Sequence, residues 1–398
     1  MSLNIHAIQS ALQANHLDGW LLYDFRGLNP LAVRVAQLPT EGHYSRRWFY
    51  YIPARGTPTK LVHGIEAGAL DHLPGQKLIY ARWQTLETLL GQLVDGAKTV
   101  AMEYSPGNAN PYISYVDAGT AELVRSFGVN IATSGDLIQE FEATLSDAQI
   151  ESHLAAAWQT DAAIGIAWEF IASQIARDGS VEEIAVRDRI LEHFESAGLI
   201  TNHSPIVAVG ANGGNPHYES GTGKTTRIGP NDFVLIDLWA REDLPNGVYS
   251  DLTRVAFVGE DVPEAITKVF KIVAEARDTA INLVRSAFRN GDAIAGWQID
   301  VAARDVIESS GYGEFFVHRT GHSIGPELHG NGTHIDNFET RDERRILPRT
   351  LFSIEPGIYL PEFGIRSEVN VLVDAQGNVR VTGGEPQQEV ATISLPFS

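Results

Sequence analysis

Four carboxylates set in apolar strand-like text restrict what this 398-residue chain can fold into more than any other feature. Asp237 ends the run Phe233-Val234-Leu235-Ile236, and Asp251 begins the return run Asp251-Leu-Thr-Arg-Val-Ala-Phe. The loop between them holds Asp243, Pro245, Asn246 and Gly247, all turn formers, so a hairpin is expected. Glu355 follows Thr350-Leu351-Phe352-Ser353-Ile354, and Glu368 lies inside Gly364-Ile365-Arg366-Ser367-Glu368-Val369-Asn370-Val371-Leu372. Unpaired carboxylates are almost never fully buried, because an ionised group loses its hydration there. Singly, the aspartates fit exposed hairpin ends and the glutamates fit charges that guard a strand edge. Together, two pairs of strand-borne acids meeting across ladders repel unless a cation sits among them.

Histidines point to the same region. Of 13, four fall between His318 and His334. The spacing of His318 and His322 imitates a zincin helix, but no Glu follows His318, and Gly321 and Gly325 break helical continuity. Glycines interleaved with histidines instead bend the backbone to aim side chains. Asp237, Asp251, Glu355 and Glu368 carry four negative charges, which two divalent ions neutralise, whereas one ion leaves a buried surplus. Bridging carboxylates hold such ions roughly 3.5–4 Å apart. Oxygen donors with one imidazole favour Mn²⁺, and Zn²⁺ or Co²⁺ also fit. The chain has no cysteine, which removes disulfides, thiolate metal sites and thiol nucleophiles.

The texture changes once along the chain. The first 140 or so residues alternate short apolar runs with helical patterns, which implies a mixed or parallel sheet flanked by helices. A hairpin is expected from Arg47–Ile52 and Thr59–Val62. Beyond Thr144, Ser146 and Gln149 form a capping box that opens a long helix ending at Gly179. Ser180-Val181-Glu182-Glu183 reads as the start of a second, and residues 263–289 as a third. Helices gathered beside antiparallel strands make the whole α+β, with domains expected at 1–143 and 144–398.

Thirty basic residues against 50 acidic leave a formal charge of −20, which repels nucleic acid over most of the surface. The opening Met-Ser-Leu-Asn-Ile-His lacks a charged and apolar leader pattern, and no run of about 18 apolar residues suggests a membrane span. A cytoplasmic location is expected.

From about Ser146 onward the chain resembles the pita-bread metallopeptidases, the group of prolidase, aminopeptidase P and methionine aminopeptidase. The likeness rests on an ordered series: Asn-Pro-His217-Tyr, Ile-Asp237, Ser-Asp251-Leu-Thr-Arg, Thr-Gly-His322-Ser-Ile-Gly, Leu-His329, Ile-Glu355-Pro-Gly-Ile-Tyr and Gly-Ile-Arg366-Ser-Glu368. The first domain resembles the smaller α/β creatinase/prolidase-type N-terminal domain in length and texture. The resemblance implies two divalent metals per chain. Asp237 would chelate one, Asp251 and Glu368 would bridge both, and His322 and Glu355 would complete the shell of the other. It further implies attack by a metal-bridging hydroxide, Glu355 as general base, and His217 and His329 orienting the substrate. Arg366 would pair with a ligating carboxylate, with Thr253 in a similar role.

Hydrolysis of the bond before proline in Xaa-Pro dipeptides is the implied activity, with a homodimer or higher homo-oligomer as the implied assembly. In such a dimer the first domain, through segments such as Tyr23–Gly27 and Arg46–Tyr51, would serve as dimerisation face and lid. Arg319 is a candidate partner for a dipeptide's free carboxylate. Aminopeptidase P action on longer Xaa-Pro-Yaa peptides, a creatinase-like hydrolase and a metal-free binding module remain alternatives. The chain departs from the family pattern where Leu238-Trp239 replaces a small residue and glycine, and where Ser367 and Val369 flank Glu368.

Overall fold

The computed structural model describes residues 3–39, 42 and 44–395. They form two compact units, Met1–Glu142 and Ala143–Ser398. No helix among the described residues is long and apolar enough to cross a membrane.

The first unit is built on β1 (Gly19–Asp24), β2 (Trp48–Pro53), β3 (Thr59–His63), β4 (Gln76–Tyr80), β5 (Thr99–Met102) and β6 (Asn130–Thr133). They form one mixed sheet in the order β4-β3-β2-β1-β5-β6. The expected hairpin is the antiparallel pair β2–β3, while β3–β4, β1–β5 and β5–β6 run parallel. Every residue of β1 is buried, and its alternation divides the side chains between two cores. Trp20 and Leu22 pack with α1 (Ile5–Ala14) and α2 (Pro30–Val35). Leu21 and Tyr23 pack with α3 (Trp83–Leu93) and α4 (Ala118–Ser126). The helices answer with apolar stripes at helical spacing: Ile8, Ala11 and Leu12 on α1, and Leu86, Leu90 and Leu93 on α3. A single turn, α5 (Gly135–Ile138), adds Leu137 and Ile138 to the first core.

In the second unit α6 (Asp147–Asp178) opens on the Ser146–Gln149 capping box and stops at Gly179, whose φ of 77° suits a residue without Cβ. Ser180 does not open the next helix. Val181 and Glu182 form a short strand, β7 (Val181–Glu182), and α7 (Glu183–Ser196) follows it. The Ser180 hydroxyl instead accepts from Arg227 on β10 (Arg227–Ile228), the strand that pairs with β7. β8 (Leu199–Ile200), β9 (Ile206–Val209), β11 (Phe233–Glu242), β12 (Ser250–Val258) and β19 (Ala391–Ile393) share one sheet. A second sheet holds β13 (Ser323–Ile324), β14 (Thr350–Ile354), β17 (Val369–Val373) and β18 (Val379–Thr382). The ribbon β15 (Gly357–Tyr359) and β16 (Gly364–Arg366) stands apart from both. Two further helices, α8 (Glu264–Asn290) and α9 (Gly296–Ser309), complete the unit.

Alternation along these strands positions the acids. Val234, Ile236, Leu238 and Ala240 of β11 pack with α6 and α7, whereas Phe233 and Leu235 pack with α8 and α9. The second face continues through Asp237 and Trp239. On β12 it runs from Phe257 and Val255 to Thr253 and Asp251, because Asp237 pairs with Thr253 and Trp239 with Asp251. Asp237 therefore lies inside a strand that continues to Glu242, and the two aspartates are diagonal neighbours rather than direct opposites. The ladder between β14 and β17 ends at the pair Ile354 and Val369, so Glu355 and Glu368 both follow at its open end. Glu368 is not within a continuous strand. It occupies the two-residue break between β16 and β17.

Candidate metal centre

The two ladder ends bring the acids together with His322. Ligand atoms of Asp251, His322 and Glu368 all lie within 4.8 Å of one another, and all three residues are buried. His322 Nε2 stands 3.4 Å from Asp251 Oδ2 and 3.5 Å from Glu355 Oε1. It is aimed there by its backbone: the Ser353 N–H donates to the His322 carbonyl at 2.8 Å, and the His322 N–H to Ser353 Oγ at 2.9 Å. Gly321 permits that approach, since a Cβ there would sit 2.0 Å from the Ser353 carbonyl oxygen.

The donor set decides what fits this centre. His322 Nδ1 lies 3.1 Å from the Ser323 carbonyl oxygen, which can only accept, so Nδ1 carries the proton. Nε2 then turns a lone pair toward two carboxylate oxygens. Asp251 Oδ1 is buried with no hydrogen-bond partner among the described residues. Acceptor atoms converging on one point match a cation, and this is the arrangement a divalent metal would complete. The acids respond accordingly. Burial, followed by the charge of Asp237, pushes Asp251 well above the usual carboxylate range. Burial and the neighbouring acids Asp251, Glu355 and Asp237 do the same to Glu368, and burial raises Glu355.

Asp237 stands one step aside from the three. Its Oδ1 accepts from Thr253 Oγ1 at 2.9 Å, and its Oδ2 is ion-paired with Arg366 Nη2. Thr253 is also 2.7 Å from Glu368 Oε2, so one hydroxyl proton serves two carboxylates while Arg366 Nε donates to the hydroxyl oxygen at 2.8 Å. Arg366 thus pairs with Asp237, the acid outside the close group of three. Behind it lies a relay that sequence reasoning did not assign. His318 Nδ1 donates to the Arg319 carbonyl at 2.6 Å, leaving Nε2 to accept from Tyr359 Oη at 2.7 Å. The phenol oxygen in turn receives Arg366 Nη1 at 3.3 Å. Burial pushes the Tyr359 hydroxyl up to about 12 and His318 down to about 3, so both stay neutral in their roles. Tyr359 sits in the Glu355-Pro-Gly-Ile-Tyr motif and His318 in the histidine cluster, and those are the signals by which the sequence could have shown them. Asn370 is a further support, its Oδ1 accepting the Asp251 N–H at 2.9 Å.

A cavity of about 840 Å³ opens onto the centre. His329 lines it with its ring edge-on to His322, centroids 4.4 Å apart, and burial lowers it to about 3. His217 also lines the cavity but is exposed, its loop tied by the His217 N–H to Asn215 Oδ1. Trp239 forms part of the wall, its Nε1–H fixed on Asn202 Oδ1 at 2.8 Å. Arg319, expected to meet a substrate carboxylate, is buried and is not among the lining residues. Arg187 on α7 lines the cavity instead and is paired with its exposed neighbour Asp188.

Comparison with known proteins bears on this centre. The model of metallopeptidase family M24 matches residues 152–375, more than half of the chain. An Xaa-Pro dipeptidase of Pyrococcus furiosus is 34 % identical over 181 residues, 45 % of this chain and 47 % of that protein. The chain spans about half the length of most curated relatives it matches. Dipeptidase PepE from Mycobacterium ulcerans shares the fold over 98 % of this chain and 97 % of its own, with a TM-score of 0.68 at 22 % identity. An X-prolyl aminopeptidase from Caenorhabditis elegans, described as a cytosolic enzyme with a di-nuclear active site, aligns over 96 % of this chain and 61 % of its own, with a TM-score of 0.59 at 16 % identity. At those identities the structural likeness establishes the fold.

Proposed function

The chain belongs to metallopeptidase family M24, and from that premise we propose that it hydrolyses the peptide bond before proline in Xaa-Pro dipeptides. The observation that carries this reading is the converging set of acceptors at Asp251, His322 and Glu368, with an unpartnered carboxylate oxygen among them. Asp237, Asp251, His322, Glu355 and Glu368 would hold two divalent ions, with Mn²⁺ favoured by the predominance of oxygen donors. When bound, such ions polarise a carbonyl and bring the pKa of water toward about 7.

The remaining duties fall to this chain's own groups. Glu355, raised by burial and open to the cavity, accepts the nucleophile's proton and passes it to the departing proline nitrogen. His329 and His217 orient the scissile carbonyl and hydrogen-bond its oxygen as charge develops there. Arg366 holds Asp237 in place through their ion pair, with Tyr359 meeting the guanidinium and His318 accepting from Tyr359. Arg187 takes the place sought for Arg319 as partner of the dipeptide's carboxylate. A cytoplasmic homodimer is the assembly that the family likeness supports, and sedimentation tests it.

The deciding experiment compares hydrolysis of an Xaa-Pro dipeptide with that of an Xaa-Pro-Yaa tripeptide under Mn²⁺, with metal content measured alongside. Two ions per chain and preferential dipeptide cleavage are expected. Preference for the tripeptide moves the assignment to aminopeptidase P. Fewer than one ion per chain after reconstitution, with neither peptide cleaved, refutes it.

A further inference from the structure

Glu368 presents its carboxylate from a break where neither flanking ladder fixes the backbone. The main-chain bonds left there are long: the Ser367 N–H reaches the Pro356 carbonyl at 3.3 Å, and the Glu368 N–H reaches the Thr253 carbonyl at 3.4 Å. Shorter bonds come from two buried guanidiniums. Arg254 on β12 donates through Nη1 to the Glu368 carbonyl at 2.6 Å and through Nη2 to the Gly383 carbonyl at 2.8 Å. Arg277 on α8 donates through Nη1 to Ser367 Oγ at 2.6 Å and to the Gln387 carbonyl at 2.7 Å.

Arg277 carries a charge into packed surroundings, where its neighbour Asp278 pairs with it at 2.7 Å. Arg277 is fully buried, within the apolar stripe formed by Val273, Ala276, Ala280, Ile281 and Val284. Apolar side chains that fill such a space are often as stabilising as a buried ionic group, or more so. The guanidinium instead reaches the Ser367 hydroxyl and the Gln387 carbonyl. Hydroxyl and guanidinium together tether the residue immediately before Glu368.

We propose that Arg277, acting through Ser367 while Arg254 grips the next carbonyl, is a positioning residue that sets where the Glu368 carboxylate stands and hence how tightly the divalent ions are held. This rests on the metal centre proposed above. Partners one step behind a metal ligand typically change affinity by about ten- to a hundred-fold.

The test titrates Mn²⁺ calorimetrically into metal-stripped parent protein, Ser367→Ala, Ser367→Thr and Arg277→Lys, with thermal unfolding of each metal-free form. Ser367→Ala leaves Arg277 its Gln387 acceptor, so it is the variant that best preserves the fold. It is expected to bind Mn²⁺ about ten- to a hundred-fold more weakly, with Ser367→Thr recovering most of the loss. Arg277→Lys follows Ser367→Ala in direction, and should it fail to fold, the serine pair decides. Parental affinity in folded Ser367→Ala overturns the proposal, and so does a lowered unfolding temperature with unchanged affinity. Parent protein that takes up no Mn²⁺ overturns the metal centre itself and this proposal with it, which distinguishes the two failures.

Discussion

Each unit of the molecule buries an acid completely, and the two acids live in opposite surroundings. In the first unit Glu103 receives Trp20 Nε1 at 2.8 Å, Asn29 Nδ2 at 2.8 Å and Ser134 Oγ at 3.1 Å. In the second, Asp251 has one oxygen with no hydrogen-bond partner among the described residues and the other facing the unprotonated nitrogen of His322. Burial raises both. An upward shift therefore does not mark the functional acid. The count of donors against acceptors does, because Glu103 is closed by three N–H and O–H groups while Asp251 waits for a positive charge.

The largest expected effect breaks this comparison on activity. Glu355→Gln keeps the volume and removes the proton acceptor, so kcat should fall by about 10²–10⁴-fold with the far-ultraviolet spectrum unchanged. Glu103→Gln should leave kcat near that of the parent. Turnover of Glu355→Gln within tenfold of the parent removes the base assignment.

Two histidines of the second unit repeat the contrast, with acid stability as the readout. His153 is buried between the Tyr249 carbonyl at 2.8 Å and Thr382 Oγ1 at 2.6 Å, so both nitrogens are engaged, unlike those of His322. Burial lowers His153 from 6.5 to about 4. A depressed histidine contributes stability that is present above its unfolded value and lost as pH falls toward its folded one. Between pH 6.5 and 4 the metal-free protein should lose up to about 3 kcal/mol through this group. Urea unfolding at several pH values, repeated on His153→Gln, isolates that share as a flatter dependence in the variant. Parallel curves for the two proteins contradict it.

What could be read beforehand divides along similar lines. Helix ends were legible because caps are local: Ser146 with Gln149, and Gly179. The acids were legible as a group because carboxylates in apolar strand text are rare enough to need a common reason, and Asp251 and Glu368 do lie together with His322. Register was not legible. Whether Asp237 opposes Asp251 or Thr253 depends on pairing across a turn whose length the composition leaves open. Nor could the break before Val369 be seen, since Ile365 and Val369 read as one strand until each pairs with a different partner. Ser180 looked like a cap, yet Arg227, 47 positions away, claims its hydroxyl. Arg277 did leave a trace, a charge on the apolar stripe of α8, and Arg319 misled because a basic residue near the histidines need not face their cavity.

The finest test asks for opposite signs from two conservative changes. Glu103→Gln replaces one acceptor oxygen with an NH₂ group that must face a donor, either Asn29 Nδ2 or the pair Trp20 Nε1 and Ser134 Oγ. Leaving a buried donor unmet costs about 1–3 kcal/mol, so the variant should be less stable by that amount. Asp251→Asn does the reverse in the metal-free protein. It removes one of several mutually repelling acids and supplies N–H groups toward Glu368 and His322. An upward-shifted carboxyl costs stability at neutral pH, so relieving it should make the metal-free variant more stable than the parent. The same substitution should abolish the stabilisation that Mn²⁺ confers on the parent, since mass action then has no intact site on which to work. Chemical unfolding with and without Mn²⁺ measures all four quantities. If metal-free Asp251→Asn is instead destabilised as much as Glu103→Gln, Asp251 was already satisfied, and the contrast between the two units disappears.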